Sequence, residues 1–233
     1  MTQQPVAIVT GASRGIGAAV AERLDAMGYR VALVARSIGP LEELATRLTH
    51  ARAFPGDVTH ESDVERIVQS VLATWGTIDV LVNNAGTAIV RSVQQSTKAD
   101  YDTVMNTNLL SAFLMTRAVL PTMTDKGRGH ILNMASIAAK RTFPQWSLYC
   151  ASKFAMVGFS QALAQEVRPL GIQVTDLYPG ATDSALWDTL GITALKEAML
   201  QPADVAEMVA YALSQSKRAR IAEIVLEPAG GDL

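Results

Sequence analysis

Short apolar runs and helical stretches alternate along the chain from Val6 to Leu226, and this alternation leaves few folds open. Val6-Ala7-Ile8-Val9-Thr10, set between Pro5 and Gly11, predicts a buried first strand. A helical stretch follows from Gly15 to Met27 and closes at Gly28. The pairing then repeats: strand Tyr29 to Ala35 with helix Pro40 to Leu48, and strand Ala51 to Phe54 with helix Glu61 to Trp75. Strand Val80 to Val82 leads to a long helical pattern from about Lys98 to Thr124. Strand Ile131 to Met134 precedes a helix that carries Tyr149, runs to about Arg168 and stops at Pro169 and Gly171. Strand Gln173 to Tyr178, helix Pro202 to Leu213 and strand Glu223 to Leu226 complete the series. Strands that alternate with helices join in parallel through crossovers, so the expected fold is α/β: a doubly wound, seven-stranded, mainly parallel sheet with helices on both faces. No linker, repeat or low-complexity tract divides the chain, and one domain over 1–233 is expected. Ligands of such sheets gather at the carboxyl ends of the strands. That directs attention to the loops after Thr10, Ala35, Val82, Met134 and Tyr178.

The first of these loops is Thr10-Gly11-Ala12-Ser13-Arg14-Gly15-Ile16-Gly17, a Gly-x-x-x-Gly-x-Gly turn that opens a helix. Glycines there let the backbone turn tightly and approach a phosphate, and the helix N-terminus favours negative charge. Gly11, Ser13, Arg14, Gly15, Ile16 and Gly17 are therefore candidate dinucleotide contacts. The spacing differs from G-x-G-x-x-G, and a plain glycine-rich turn is the alternative. The second strand ends Val34-Ala35-Arg36-Ser37 without the carboxylate that commonly holds a ribose 2′-hydroxyl. Arg36 with Arg14 could instead clamp a 2′-phosphate by charge-assisted hydrogen bonds, which favours NADP(H) over NAD(H). The alternative is two solvated surface charges. After the third strand, Asp57 and the Val58 amide are placed to meet an adenine, although Asp57 serves equally well as a turn or cap residue.

Tyr149 and Lys153 stand four residues apart, one turn of a helix, on one face. A free phenol titrates near ~10, and a neighbouring ammonium lowers that value. A phenol tuned in this way can protonate a carbonyl or deprotonate an alcohol. Tyr-x-x-x-Lys alone also fits a core tyrosine beside a surface lysine.

Composition narrows the function classes. A net charge of −2 gives no reason to expect a nucleic-acid or anionic-membrane partner. Cys150 is the only cysteine, so neither an intrachain disulfide nor a cysteine-cluster metal site can form. His50, His60 and His130 share no ligand spacing and are expected to be surface or structural residues. Met1-Thr2-Gln3-Gln4-Pro5 lacks the basic and apolar regions of a signal peptide, and no apolar run approaches the ~20 residues of a membrane span. A soluble, cytoplasmic protein is expected.

Taken together, Thr10-Gly11-x-x-x-Gly15-x-Gly17, Asn83-Asn84-Ala85-Gly86, Asn108, Ser136, Tyr149-x-x-x-Lys153 and Pro179-Gly180 resemble the short-chain dehydrogenase/reductase family in its compact, non-extended branch. The resemblance covers nearly the whole chain and implies a Rossmann fold. It implies Tyr149 as general acid in carbonyl reduction and base in alcohol oxidation. Ser136 would hold the substrate oxygen near the phenol, and Lys153 would bind the nicotinamide ribose and lower the Tyr149 pKa. Asn108 would hold a water that links Lys153 to solvent; Asn106 competes for that role but fits the family's Asn-Leu phrase less well. Asn84, Ala85 and Gly86 would border the adenine ribose, and Pro179, Gly180, Thr182 and Ser184 would lie at the nicotinamide. Ser184 stands where the family more often has threonine. The ending Glu227-Pro228-Ala229-Gly230-Gly231-Asp232-Leu233 departs from that of typical 3-oxoacyl-carrier-protein reductases. It looks closer to relatives that act on small carbonyls or hydroxy acids.

The expected activity is NADPH-dependent interconversion of a small-molecule ketone or aldehyde with an alcohol, with no metal required. A 3-oxoacyl-thioester reductase is an alternative; an NADP-sensing protein without turnover and a sugar-nucleotide epimerase are rivals of other kinds. A lid is expected at about 184–201, apolar through Leu186, Trp187, Leu190, Ile192, Leu195, Met199 and Leu200, while Phe143, Gln145 and Trp146 are candidate pocket residues. Phe154, Met156, Val157, Phe159 and Leu163 leave the Tyr149 helix apolar around much of its circumference, so a homodimer or homotetramer is expected.

Overall fold

Seven strands form one sheet in the order β3-β2-β1-β4-β5-β6-β7: β1 (Val6–Thr10), β2 (Arg30–Val34), β3 (Ala51–Ala53), β4 (Val80–Asn83), β5 (Gly129–Met134), β6 (Ile172–Pro179) and β7 (Glu223–Leu226). The computed structural model describes residues 4–184, 187, 196–216 and 218–231. All six strand pairings are parallel. The chain winds outward from β1 through β2 to β3, then returns to the other side of β1 with β4. The order therefore reverses between β1 and β4, and a crevice opens at their carboxyl ends.

The apolar runs explain why helices cover both faces. Successive strand residues point to opposite sides, so a continuous run supplies two cores at once. Val6 and Ile8 of β1 join one core, with Leu81 and Ile131 from neighbouring strands. Helices α3 (Glu61–Trp75), α5 (Ser111–Lys126) and α6 (Ser147–Val167) close that side through residues such as Ile67, Met115 and Leu163. Ala7 and Val9 face the other core, which is closed by α1 (Gly15–Ala26), α2 (Ile38–Arg47) and α7 (Pro202–Leu213) through Leu24, Leu41 and Val209.

Observed boundaries stay within about two residues of expectation for most elements. The long stretch from Lys98 differs in kind. It consists of α4 (Lys98–Met105), a π-helical turn at Asn106–Leu110, and α5. Thr97 starts it with a capping box shared with Asp100. The lid expected at about 184–201 is described only at Ser184, Trp187 and residues 196–201; Leu186, Leu190, Ile192 and Leu195 lie outside the described residues. Among the described residues, no helix is long and apolar enough to cross a membrane.

Candidate active site

The crevice at the β1/β4 switch is the mouth of a cleft of about 1180 Å³. Its floor at one end is the glycine loop. Gly11 and Gly15 have φ values of 66° and 57°, a region that residues with a Cβ rarely adopt. A Cβ on Gly17 would stand 2.2 Å from the Gly11 carbonyl oxygen and 2.5 Å from Asn84 Nδ2, so only glycine lets the helix start this close to the strand. Helix α1 begins with no side-chain cap and no acidic residue in its first turn. Its first N–H groups therefore remain available to an anion. This cradle fits a dinucleotide's phosphates on the chain's own geometry.

Thr10 holds the loop in place, a role the sequence reading did not assign. Its hydroxyl accepts hydrogen bonds from the Asn84 and Ala85 amides, both at 3.0 Å, and Asn84 Nδ2 donates to the Thr10 carbonyl at 2.8 Å. Asn83 turns the other way: its Nδ2 donates to Asn133 Oδ1 at 2.9 Å and ties β4 to β5. The Asn83-Asn84-Ala85-Gly86 run thus clamps three adjacent strands at the switch point. Gly11, Ser13, Arg14, Gly15, Ile16 and Gly17 all line the cleft, as do Asn84, Ala85 and Gly86.

Beyond β2, Arg36 and Arg14 are exposed on the cleft wall, and among the described residues no carboxylate forms an ion pair with either. Asp57 and Val58 also line it. Asp57 is a turn residue in this structure: its Oδ1 accepts from the Thr59 amide at 2.9 Å and the Thr59 hydroxyl at 2.7 Å. Burial works to raise its pKa, yet the Thr59 hydrogen bonds and nearby His60 and Arg36 hold the carboxyl below its ordinary value.

At the other end of the cleft stand Ser136, Tyr149 and Lys153. Ser136 follows β5, and its hydroxyl accepts from the Ala138 amide at 3.1 Å and lies close enough to the Tyr149 phenol to influence its pKa. Lys153 is buried, and its Nζ donates to the Met134 carbonyl at 2.7 Å, 5.7 Å from the centre of the Tyr149 ring. Burial lowers the Lys153 pKa to about 8. On the chain's own residues the Tyr149 phenol is shifted upward. Burial is the largest influence and raises the phenol's pKa, with Ser136 pulling only partly the other way.

Asn108 and Asn106 occupy different levels. Asn106 lines the cleft, whereas Asn108 lies fully buried behind it. Asn108 Oδ1 accepts from the Thr87 amide at 2.7 Å, and Nδ2 donates to the Thr87 carbonyl at 2.9 Å and to Ser152 Oγ at 2.8 Å. Both amide protons are therefore spent within the protein. In this structure Asn108 locks the loop after β4 onto the π turn and onto α6. Gly86 lies between it and Lys153: a Cβ there would stand 3.4 Å from Asn108 Oδ1 and 3.7 Å from Lys153 Nζ.

The loop after β6 closes the cleft from above. Pro179, Gly180, Thr182 and Ser184 line it, and the Ser184 Cβ would be 3.5 Å from a Cβ on Gly15. Thr182 Oγ1 donates to the Gly180 carbonyl at 3.0 Å, and Thr182 forms a parallel bridge with Leu200. Phe143, Trp146, Trp187 and Met199 add apolar surface to the cleft, with Trp146 against Tyr149. Of the sequence-derived catalytic and cofactor residues, all but Asn108 are brought to this one cleft; of the candidate pocket residues, Phe143 and Trp146 line it and Gln145 does not.

Comparison with known proteins agrees with this architecture. A family model described as short chain dehydrogenase matches residues 5–194. An uncharacterized oxidoreductase of Staphylococcus aureus is 32% identical over 225 residues, covering 96% of each chain. A second, from Staphylococcus saprophyticus, is 34% identical over 231 residues and covers 97% of this chain and 98% of its own. Among solved structures, a 3-ketoacyl-(acyl-carrier-protein) reductase from Brucella melitensis complexed with NADH gives a TM-score of 0.91 at 30% identity, covering 97% of this chain and 98% of that one. An alcohol dehydrogenase from the archaeon Thermococcus sibiricus complexed with 5-hydroxy-NADP gives 0.90 at 30% identity, covering 97% of both.

Proposed function

The chain belongs to the short-chain dehydrogenase family, and from that premise we propose that it is an NADPH-dependent reductase that converts a small ketone or aldehyde to an alcohol, and reversibly the alcohol to the carbonyl. The observation that carries this reading is that Ser136, Tyr149 and the buried Lys153 line the same cleft as the glycine cradle, with the serine close enough to the phenol to pull its pKa down. A nicotinamide cofactor supplies the hydride chemistry when bound. The remaining work falls to this chain's own side chains.

Ser136 and Tyr149 share the substrate oxygen. The serine orients the carbonyl, and the phenol donates its proton as negative charge develops on that oxygen. A phenol raised by burial is protonated at neutral pH, which suits the reductive direction. Lys153, anchored on the Met134 carbonyl, offers its remaining N–H groups to ribose hydroxyls and places a positive charge under the phenol. Asn108 is a positioning residue, holding the Thr87 loop and α6 at fixed separation.

Cofactor choice has to be read from this chain's residues, because the Brucella enzyme carries NADH and the Thermococcus enzyme an NADP derivative. Arg14 and Arg36 on the wall beyond β2, with no carboxylate at the end of that strand, favour NADPH. The similarity to the Brucella reductase supports a second reading, a 3-oxoacyl-thioester substrate.

A cytoplasmic homodimer or homotetramer is proposed as well. Phe154 on α6 and Phe113 on α5 are 45% and 39% exposed, a degree of exposure that a partner subunit would relieve. A monomeric sedimentation profile at micromolar concentration would sink the oligomer. The activity is tested by following nicotinamide absorbance with NADPH and NADH against a carbonyl panel, for the native chain and Tyr149→Phe. Loss of about 100-fold or more in turnover with NADPH affinity kept is the expected result. Equal turnover by the variant overturns the assignment of the phenol.

A further inference from the structure

Beside Tyr149 the cleft has an aromatic wall that proton and hydride transfer do not require. Trp146 packs edge-on to Tyr149, with ring centres 5.5 Å apart and planes at 69°. Trp187 lies against Trp146 at 5.9 Å and 57°. Phe143 and Met199 line the same cleft.

Two devices fix this wall. Gln145 has a φ of 69°, the only described non-glycine residue in the left-handed region, and its carbonyl accepts from the Arg91 amide at 2.9 Å. A residue with a Cβ is held there only when its surroundings enforce it. The consequence lies one residue on, where Trp146 enters α6 with its ring against Tyr149. Trp187 is fixed separately: its Nε1 donates to the Thr182 carbonyl at 2.9 Å, which uses up the indole's only donor. What the pair offers a ligand is ring surface.

Among the described residues, three cations around this end are paired. Lys140 pairs with Glu223, Arg141 with Glu227, and Lys196 with Asp183. Each cation therefore faces a carboxylate rather than standing ready for an anionic substrate or an acidic carrier. The substrate oxygen must reach Tyr149 and Ser136, so the group next to the carbonyl falls within one ring spacing of the phenol, on Trp146 and Trp187.

Resting on the reductase reading, we propose that the Trp146–Trp187 wall selects carbonyl compounds that carry an uncharged aryl group one or two carbons from the C=O. Aromatic rings prefer offset or edge contacts at these spacings, a preference that a saturated ring of similar bulk does not share.

The test compares 1-phenyl-2-propanone with 1-cyclohexyl-2-propanone, which differ in the ring and hardly in the carbonyl. The kcat/KM ratio is measured with NADPH for the native chain, Trp146→Leu, Trp187→Leu and the aromatic-conserving Trp146→Phe. The native chain is expected to favour the phenyl compound. Each leucine variant is expected to lower that ratio about 3- to 10-fold, while Trp146→Phe retains most of it. No preference in the native chain, an equal fall for both ketones, or better turnover of a 3-oxoacyl thioester than of either ketone overturns the proposal. If the carbonyl panel is reduced but neither ketone is, the proposal is overturned; if no carbonyl is reduced, the reductase reading fails separately, and saturation-transfer NMR of the two ketones on the native and leucine chains decides the wall. Phenyl-selective binding that the leucine variants lose supports it; equal binding of both ketones overturns it.

Discussion

The sheet that carries the site contains two buried titratable groups whose pH effects oppose each other. Asp176 on β6 is 5% exposed, and burial, the largest influence, raises its pKa to about 6 despite hydrogen bonds from Ser160 and Asn133; Glu223 adds to the rise and Lys140 opposes it. His130 on β5 is 9% exposed, and burial lowers its pKa to about 4; its Nε2 lies 2.8 Å from Thr175 Oγ1. That hydroxyl donates to the Ile221 carbonyl, so the imidazole donates to Thr175 and stays neutral. Unfolded aspartate titrates near ~3.9, so the folded chain binds the extra proton between about pH 6 and 4, and stability rises by about 3 kcal/mol as pH falls through that window. Unfolded histidine titrates near ~6.5, so there the unfolded chain binds the extra proton, and stability falls by about 3 kcal/mol between about pH 6.5 and 4. The two contributions nearly cancel in the native chain. Urea unfolding of Asp176→Asn and His130→Gln across this range separates them. Relative to native, Asp176→Asn should be more stable near neutrality by a margin that shrinks toward about pH 4, whereas His130→Gln should gain with acidification, each by about 3 kcal/mol. A constant offset from lost or altered hydrogen bonds leaves these slopes unchanged. The pairing Asn133↔Asp176 lies three residues along from His130↔Gln173, so the double variant should return a nearly flat profile. Differences from native that are independent of pH would show that neither group has a shifted pKa, and would refute the reasoning.

Two further predictions address the cofactor end. Gly17→Ala places a Cβ 2.2 Å from the Gly11 carbonyl, and because backbone rather than a flexible side chain must yield, about 1–3 kcal/mol of stability and most dinucleotide affinity should be lost; thermal unfolding and NADPH titration read the two effects. Arg36→Asp supplies the acid that β2 lacks, and removing one charge-assisted contact should weaken NADPH binding about 10- to 100-fold while NADH binding holds or improves. Equal loss for both cofactors in steady-state assays would show that Arg36 does not read the 2′-phosphate.

What the sequence made legible follows from how local each signal is. The strands were readable because runs such as Val6 to Thr10 are buried on both faces and need no knowledge of the partner strand. The glycine loop was readable because its conformation is encoded in the residues that adopt it. The π turn at Asn106–Leu110 was not, since the hydrophobic pattern runs through it and its stabilising contacts, Asn108 to Thr87 and Ser152, come from distant segments. The same limit explains Tyr149. Helical spacing brings Lys153 to the same face, yet burial sets the direction of the Tyr149 pKa shift, and the ammonium is anchored from outside the helix. Met134, which anchors it, belongs to β5 and is nineteen residues away in the chain. His130 shows the opposite outcome: it was expected to be surface or structural, and burial against Thr175 makes it structural. Motif residues were found together because the fold delivers strand ends to one crevice, while their protonation depends on contacts between elements. For this site, the sequence motif indicates which groups meet, and packing decides which of them is charged when they do.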